Sequence, residues 1–373
     1  MGAFRLLLAL AVVSMHSGRV FGLIVLHGDA VVQAFFIVSG FYMGLVLDTT
    51  YANSTASFYA NRLLRLGPTY LVAVTLSLLT VFLTGQLFYS TTRDFAEFWR
   101  TADTWLVVVV LVTNVFIVGQ EWAVFLPTRD VHASHPGVLH FYELIPQGWS
   151  IALELYFYAM APFLARLSTR ALWGIVVASG ALRVLLAATG FDHRWQYFFF
   201  PTSLVFFVAG LLSYRAYRRP VGLWQNRRAC WLLTSLMFLA VLGAERWTPL
   251  AAALLTSIRA DVAPETLFLF ALPLLIPPAF AATRNLRTDK FLGDLCYPMY
   301  LTHVAVIIWV RSFRGALPLS TGQLWAIDGL VILVALFIYA ICDRPMNRFR
   351  KMRFSRSVRG GMAVSEGASV PVA

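Results

Sequence analysis

Five ionisable side chains stand inside stretches of sequence that are otherwise apolar: Arg5, His16, Glu154, Arg183 and His303. A charge kept out of water is costly, so each is a functional candidate by default. Arg5 and His16 are eleven positions apart, which on a helix sets them within roughly 20° of one another and about 16 Å apart along the axis. A neutral imidazole there can accept a proton from a hydroxyl. By themselves the two also read as an arginine reaching to an interface and a histidine bonded to a neighbouring helix. Arg62 and Arg65, three apart at a helix start, point the same way, and two guanidiniums on one face suit a phosphate. They also read as plain topology-setting charge. Glu154 has no Lys or Arg near it in sequence and needs a partner from another helix. Ser39 and Gly40, read alone, permit close helix approach.

The elements that hold these residues are set by composition. Apolar residues make up 59% of the 373 and charged residues 13%. Soluble domains run nearer half and a quarter, so this chain needs a bilayer to cover its surface. Eleven apolar runs are legible, at 6–25, 29–47, 67–85, 104–119, 148–165, 171–188, 197–213, 230–244, 265–281, 292–310 and 322–341. Most approach the roughly 20 residues of a helical span. The fold class is therefore all-α, a polytopic transmembrane helical bundle. The first run is long and contains His16, with no Ala-x-Ala site after it, and reads as a retained helix rather than a signal peptide. No internal repeat is evident.

The formal net charge of +12 falls between the runs and after the last one. That is the pattern of cytoplasmic loops, and it argues for a membrane surface as the partner of this charge, with no nucleic acid. If all eleven runs cross, the basic loop at 214–229 lands outside. If one run between Arg65 and Trp149 fails to cross, every basic cluster falls inside. The run at 104–119, short and carrying Asn114, is the one expected to fail. About ten crossings follow, with one re-entrant or interfacial segment beside a pocket. Both ends are then cytoplasmic and 120–147 is extracytoplasmic. Residues 1–345 form the membrane domain, and 346–373 read as a basic, disordered tail in contact with lipid headgroups.

On that topology His16, His303, Arg183 and Glu154 share one depth, with Glu154 orienting an imidazole or pairing with Arg183. His132, His135 and His140 in the loop read as a solvated surface rather than a metal site. Cys230, Cys296 and Cys342 suggest neither disulfides nor a metal.

Five motifs occur in order: Arg5-x10-His16, Phe35-Phe36-Ile37-Val38-Ser39-Gly40-Phe41, Arg62-x-x-Arg65, Trp149-Ser150-x-x-x-Glu154, and Gly293 leading through Tyr297 and Tyr300 to His303. Together they resemble the acyltransferase-3 family of membrane O-acyltransferases over nearly the whole chain. Gln33 departs from an acidic residue common there, and Asp343 from a glutamate. The resemblance implies transfer of an acyl group, usually acetyl, from acyl-CoA to a hydroxyl of a surface glycan, glycolipid or secreted glycoside. It implies a multi-pass protein of the bacterial cytoplasmic membrane with no permanently bound cofactor. His16 would be the base, Arg5 its support and Glu154 a further catalytic group. Arg62 and Arg65, with Tyr70 beside them, would hold CoA. His303, Tyr300, Ser39, Trp149 and Arg183 would form the acceptor side. An acyl relay through Ser39, Ser150 or Tyr300 is the less direct route. Two other readings stand beside the enzyme: a sugar or lipid transporter with a polar path, and a non-catalytic scaffold.

Overall fold

The computed structural model describes residues 1–17, 21, 25–26, 28–52, 54–128, 137–219, 221–257, 263–313 and 320–359, with side chains to 353. The chain is helical throughout, and among the described residues the only β pairing is two isolated bridges. The first helices are α1 (Gly2–Ser17), α2 (Asp29–Thr49), α3 (Thr55–Thr84), α4 (Thr92–Thr101) and α5 (Thr104–Phe116). Two 3₁₀ turns at Gln120–Val124 and Leu139–Tyr142 lead to α6 (Gly148–Leu164) and α7 (Thr169–Ala188). Then come α8 (Arg194–Tyr197), α9 (Phe200–Arg218), α10 (Gly222–Gln225), α11 (Arg227–Leu242) and α12 (Ala244–Ser257). The last are α13 (Thr266–Thr283), α14 (Arg287–Ser312), α15 (Thr321–Ile338) and, after a π turn at Tyr339–Asp343, α16 (Arg344–Arg359).

Among the described residues seven helices are long and apolar enough to cross a membrane, or eight if α11 and α12, bent by 82° at Gly243, count as one broken span. This is fewer than the ten crossings expected. The difference lies in α1 and α6, apolar helices of 16 and 17 residues that rise only about 25 Å each. The expected short segment is α5, whose 13 residues rise about 20 Å against a hydrocarbon core of about 30 Å. It ends where Ile117 and Gly119 both take positive φ. The basic stretch after 345, expected to be unstructured, is helical as far as Arg359. Its Arg350 is buried against α3, which gives that helix the tertiary support a free tail would lack. Residues 360–373 lie outside those described.

At the centre stands α2, apolar on all sides and buried among α9, α13, α1 and α6. It meets α9 backbone to backbone. A Cβ on Gly40 would lie 1.9 Å from the Phe207 carbonyl oxygen, and one on Gly210 would lie 1.9 Å from that of Ile37. Small residues are how membrane helices gain such contact. By contrast α7 buries only Leu172 and Ser179 and turns Val177, Val184 and Leu185 outward, as a lipid-facing helix does. Prolines inside α13 are compensated locally. Pro277 removes the donor for the Pro273 carbonyl, and the Ser213 hydroxyl donates to that oxygen at 2.5 Å instead.

Gly40→Ala and Gly210→Ala should each cost about 1–3 kcal/mol by forcing α2 and α9 apart. Thermal unfolding in detergent should show both variants melting below wild type. Gly180→Ala on α7, where nothing lies within 4 Å of the added methyl, should melt no lower than wild type.

Candidate active site

The two helices that carry the histidines run parallel. Asp289 on α14 accepts hydrogen bonds from the backbone N–H groups of Gly2 (2.8 Å) and Ala3 (2.9 Å). Gly2 and Gly293 allow this contact, since a Cβ on Gly2 would collide with the Asp289 carbonyl. The register persists to the other end of α1, where the rings of His16 and His303 stack with centroids 5.2 Å apart. Phe88 packs edge-on against His16 at 5.0 Å. His303 is fully buried, and its Nδ1 lies 2.7 Å from the Tyr300 carbonyl oxygen. Its Nε2 has no hydrogen-bond partner among the described residues. The structure thus brings His16 and His303, two of the four groups expected at one depth, into direct contact.

A cavity with about 1390 Å³ of empty space, counting its open mouth, lies between α1, α2, α3, α6, α13 and α14. Its mouth is basic, with Arg62, Arg65, Arg284 and Lys290, and Arg5 stands inside over the Tyr42 ring at 5.7 Å. Arg62 is 2% exposed. Its guanidinium rests 5.8 Å from the Phe58 ring and 5.9 Å from the Tyr158 ring, while Nε and Nη2 have no partner among the described residues. A buried cation with open donors is suited to an anion entering the cavity. Along the wall, Glu154 accepts from the Ser39 hydroxyl at 2.6 Å and the Tyr158 hydroxyl at 2.5 Å. The floor is Phe35 with the hydrogen-bonded hydroxyls of Ser150 and Tyr300, 2.6 Å apart. Tyr300 is one turn before His303 on α14, so the histidine pair lies just past this floor.

Four expectations need correction. The polar groups do not share one depth. Glu154 is one turn from Ser150 towards the mouth, and His303 is one turn beyond Tyr300, so about 10 Å separates them along the bundle. The counting assumed that α6 begins at a membrane surface, whereas residues 145–150 are buried within the protein. Arg183 pairs with nothing in the cavity. It donates to the Gln196 carbonyl and lies over the Phe206 ring. Tyr70 is buried against α5, donating to the Asn114 carbonyl at 2.8 Å and accepting from Gln120 at 3.1 Å. It fixes that short helix and does not line the cavity. Trp149 packs on Tyr197 and Phe198, with centroids 4.6 and 4.5 Å away, and is likewise outside it.

Arg5 lines the cavity and His16 does not, so the Arg5–His16 pair is split between the cavity interior and the region past its floor. Gln33 is buried with its amide nitrogen unpartnered, and Asp343 accepts from the Thr69 hydroxyl. Tyr158, Tyr42 and Asp294 were missed as cavity residues. Tyr158 was legible, being four residues after Glu154 on one helix face. Among the described residues no three of His, Cys, Asp or Glu come together as metal ligands. His132 and His135 lie outside those residues, and His140 is bonded to Glu143 at 2.7 Å.

A family profile described as an acyltransferase domain matches residues 1–343. The chain is thus a multi-pass membrane acyltransferase by fold and motif, and it belongs to the acyltransferase-3 family. Among its relatives is nodulation protein 10 of Rhizobium leguminosarum bv. viciae, 26% identical, the alignment covering 87% of this chain and 84% of the relative. Another is the exopolysaccharide production protein ExoZ of Rhizobium meliloti (strain 1021), 25% identical, covering 90% and 94%. No solved structure matches.

Beside the site, outside the long apolar helices, burial raises the Glu143 carboxyl from its ordinary 4.5 to about 7, against the opposing hydrogen bond and charge of His140. A folded-state value above the unfolded one gives stability that is full at low pH and lost as pH rises through about 7. Wild-type melting temperature should therefore fall between about pH 5 and 8, and Glu143→Gln should flatten that fall.

Proposed function

We propose that this protein transfers an acyl group, acetyl by preference, from acyl-CoA to a sugar hydroxyl of a surface or secreted glycan or glycolipid. The observation that carries the reading is the cavity itself. It has cations at its mouth for a phosphorylated donor, and a floor one helical turn from a stacked histidine pair. The name of one relative, an exopolysaccharide production protein, supports a glycan as acceptor.

Acyl-CoA enters from the basic end, which by the distribution of charge faces the cytoplasm of a bacterium. Arg62 and Arg65 bind its phosphates, and Arg5 steadies the donor inside the cavity. His16, as neutral imidazole, takes the proton of the acceptor hydroxyl as its oxygen attacks the thioester carbonyl. The carbon–sulfur bond breaks, and the proton is passed to the departing thiolate, giving free CoA and an ester. His303, stacked on His16, positions it. Glu154 holds Ser39 and Tyr158 in the wall along which the acyl arm lies. Arg5 and His16 are about 16 Å apart along α1, so Arg5 serves the donor and not the base.

The test is release of free CoA from acetyl-CoA by purified protein in detergent with envelope glycan extract. Wild type should release CoA only with extract. His16→Ala, folded by its melting temperature, should be slower by about 10²–10⁴-fold, the usual contribution of a positioned base. No release from folded wild type with any common acyl-CoA would sink the enzyme reading and put a transporter in its place.

A further inference from the structure

A second cavity, with about 1200 Å³ of empty space, opens beside the first and shares its wall, since Arg65, Lys290, Gly293, Asp294 and Tyr297 line both. Its outer wall is α16. Six cations line it, Arg65, Lys290, Arg344, Arg348, Arg350 and Lys351, against the carboxylates of Asp294 and Asp343. Arg350 is occupied in holding the helix. Its Nε and Nη2 donate to Asn61 Oδ1 at 3.1 and 2.5 Å, and its Nη1 donates to Asn347 at 2.8 Å. Asn61 precedes Arg62, so this contact fastens α16 beside the mouth of the first cavity. The π turn before α16 carries Asp343, which accepts from Thr69 on α3 and is a second anchor. Among the described residues, the side chains of Arg65, Arg344, Arg348 and Lys351 donate no hydrogen bond and form no ion pair. Tyr51 and Tyr339 line the same space, and aromatic faces accept any base.

We propose that the second cavity binds the nucleotide end of the donor, the 3′-phosphoadenosine of CoA, with Arg348 and Lys351 of α16 at the 3′-phosphate, while Arg62 and Arg65 keep the diphosphate at the edge of the first cavity. The assignment rests on the acyl-CoA reading above and extends it to a helix beyond residue 343, where the family match ends. A donor whose thioester lies inside the first cavity must lead its arm out past Arg62 and Arg65. The shared wall then delivers the adenosine and its 3′-phosphate into the second cavity, where uncommitted cations stand on a fixed helix. A lipid phosphate has the same local chemistry. It would need only the outer surface, and gives no reason for the two cavities to share a wall.

The test uses full-length protein in nanodiscs of zwitterionic lipid and calorimetric binding of CoA and of 3′-dephospho-CoA. A charge-assisted phosphate contact is worth about tenfold in affinity, so wild type should prefer CoA by about that factor. The exposed double variant Arg348→Ala/Lys351→Ala, with unchanged melting temperature, should bind both ligands alike, at the wild-type affinity for 3′-dephospho-CoA. Equal wild-type affinity for the two ligands would overturn the subsite and leave the acyl-CoA reading standing. Absence of binding by either would remove that reading and the subsite together. A double variant that keeps its CoA preference but loses binding to phosphatidylglycerol vesicles would mark a lipid-headgroup site instead.

Discussion

Everything at the site hangs on the parallel seam between α1 and α14. Gly2 and Gly293 let the two backbones touch, and the Asp289 carboxylate closes on the first N–H groups of α1. The offset of 287 residues set at Gly2 and Asp289 is kept at His16 and His303, whose rings therefore stack. Arg311, further along α14, reaches back to the His16 carbonyl at 3.0 Å. A helix clamped at both ends cannot slide. Arg5 and His16 are thus held on one face, two chemistries apart, one facing a charged cavity and the other a buried partner ring.

A second constraint comes from α2. Its glycine contact with α9 fixes its depth, and Ser39, next to Gly40, is thereby delivered to Glu154 on α6. That hydrogen bond crosses between helices 115 residues apart in sequence. The carboxylate collects hydroxyls from two helices, and so stays at the wall of the cavity rather than turning to an imidazole.

Much of this was legible in residue types. Apolar runs point to the all-helical membrane fold, and five spaced motifs point to the family and to several cavity residues, Arg5, Ser39, Arg62, Arg65, Glu154 and Tyr300 among them. Ser39 taken by itself suggests packing, and Glu154 needs a partner from another helix; each is the other's answer. Arg183, Tyr70 and Trp149 were not legible. Each is polar or aromatic in an apolar run, but its direction is set by the turn at 117–120 and the short helix α8 with Phe198 after it, whose placement depends on contacts remote in sequence. Depth was misjudged for a related reason. Helix α6 starts inside the protein, and no local signal in residues 145–150 reports whether lipid or protein lies outside them. The basic end of the chain reads as a disordered tail against lipid headgroups because charge dominates its composition, while the Asn61–Arg350 contact that anchors it is visible only in three dimensions.

The floor formed by Ser150 and Tyr300 has a consequence for the membrane as an electrical barrier. Ionisable groups in both halves of a bilayer become a proton wire once their hydrogen bonds join. Here the Tyr300 hydroxyl closes on Ser150 and on the Gln147 carbonyl (3.2 Å), and His303 Nδ1 is tied to the Tyr300 backbone. The Phe35 ring fills the space against the Tyr300 ring, with centroids 6.2 Å apart. These contacts end on backbone oxygens and an aromatic edge, groups that do not carry protons onward. In the structure as it stands, the carboxylate and cations of the cavity and the stacked histidines beyond it are thus parted by one layer of hydroxyls and an aromatic ring, and that layer is where donor and acceptor have to meet.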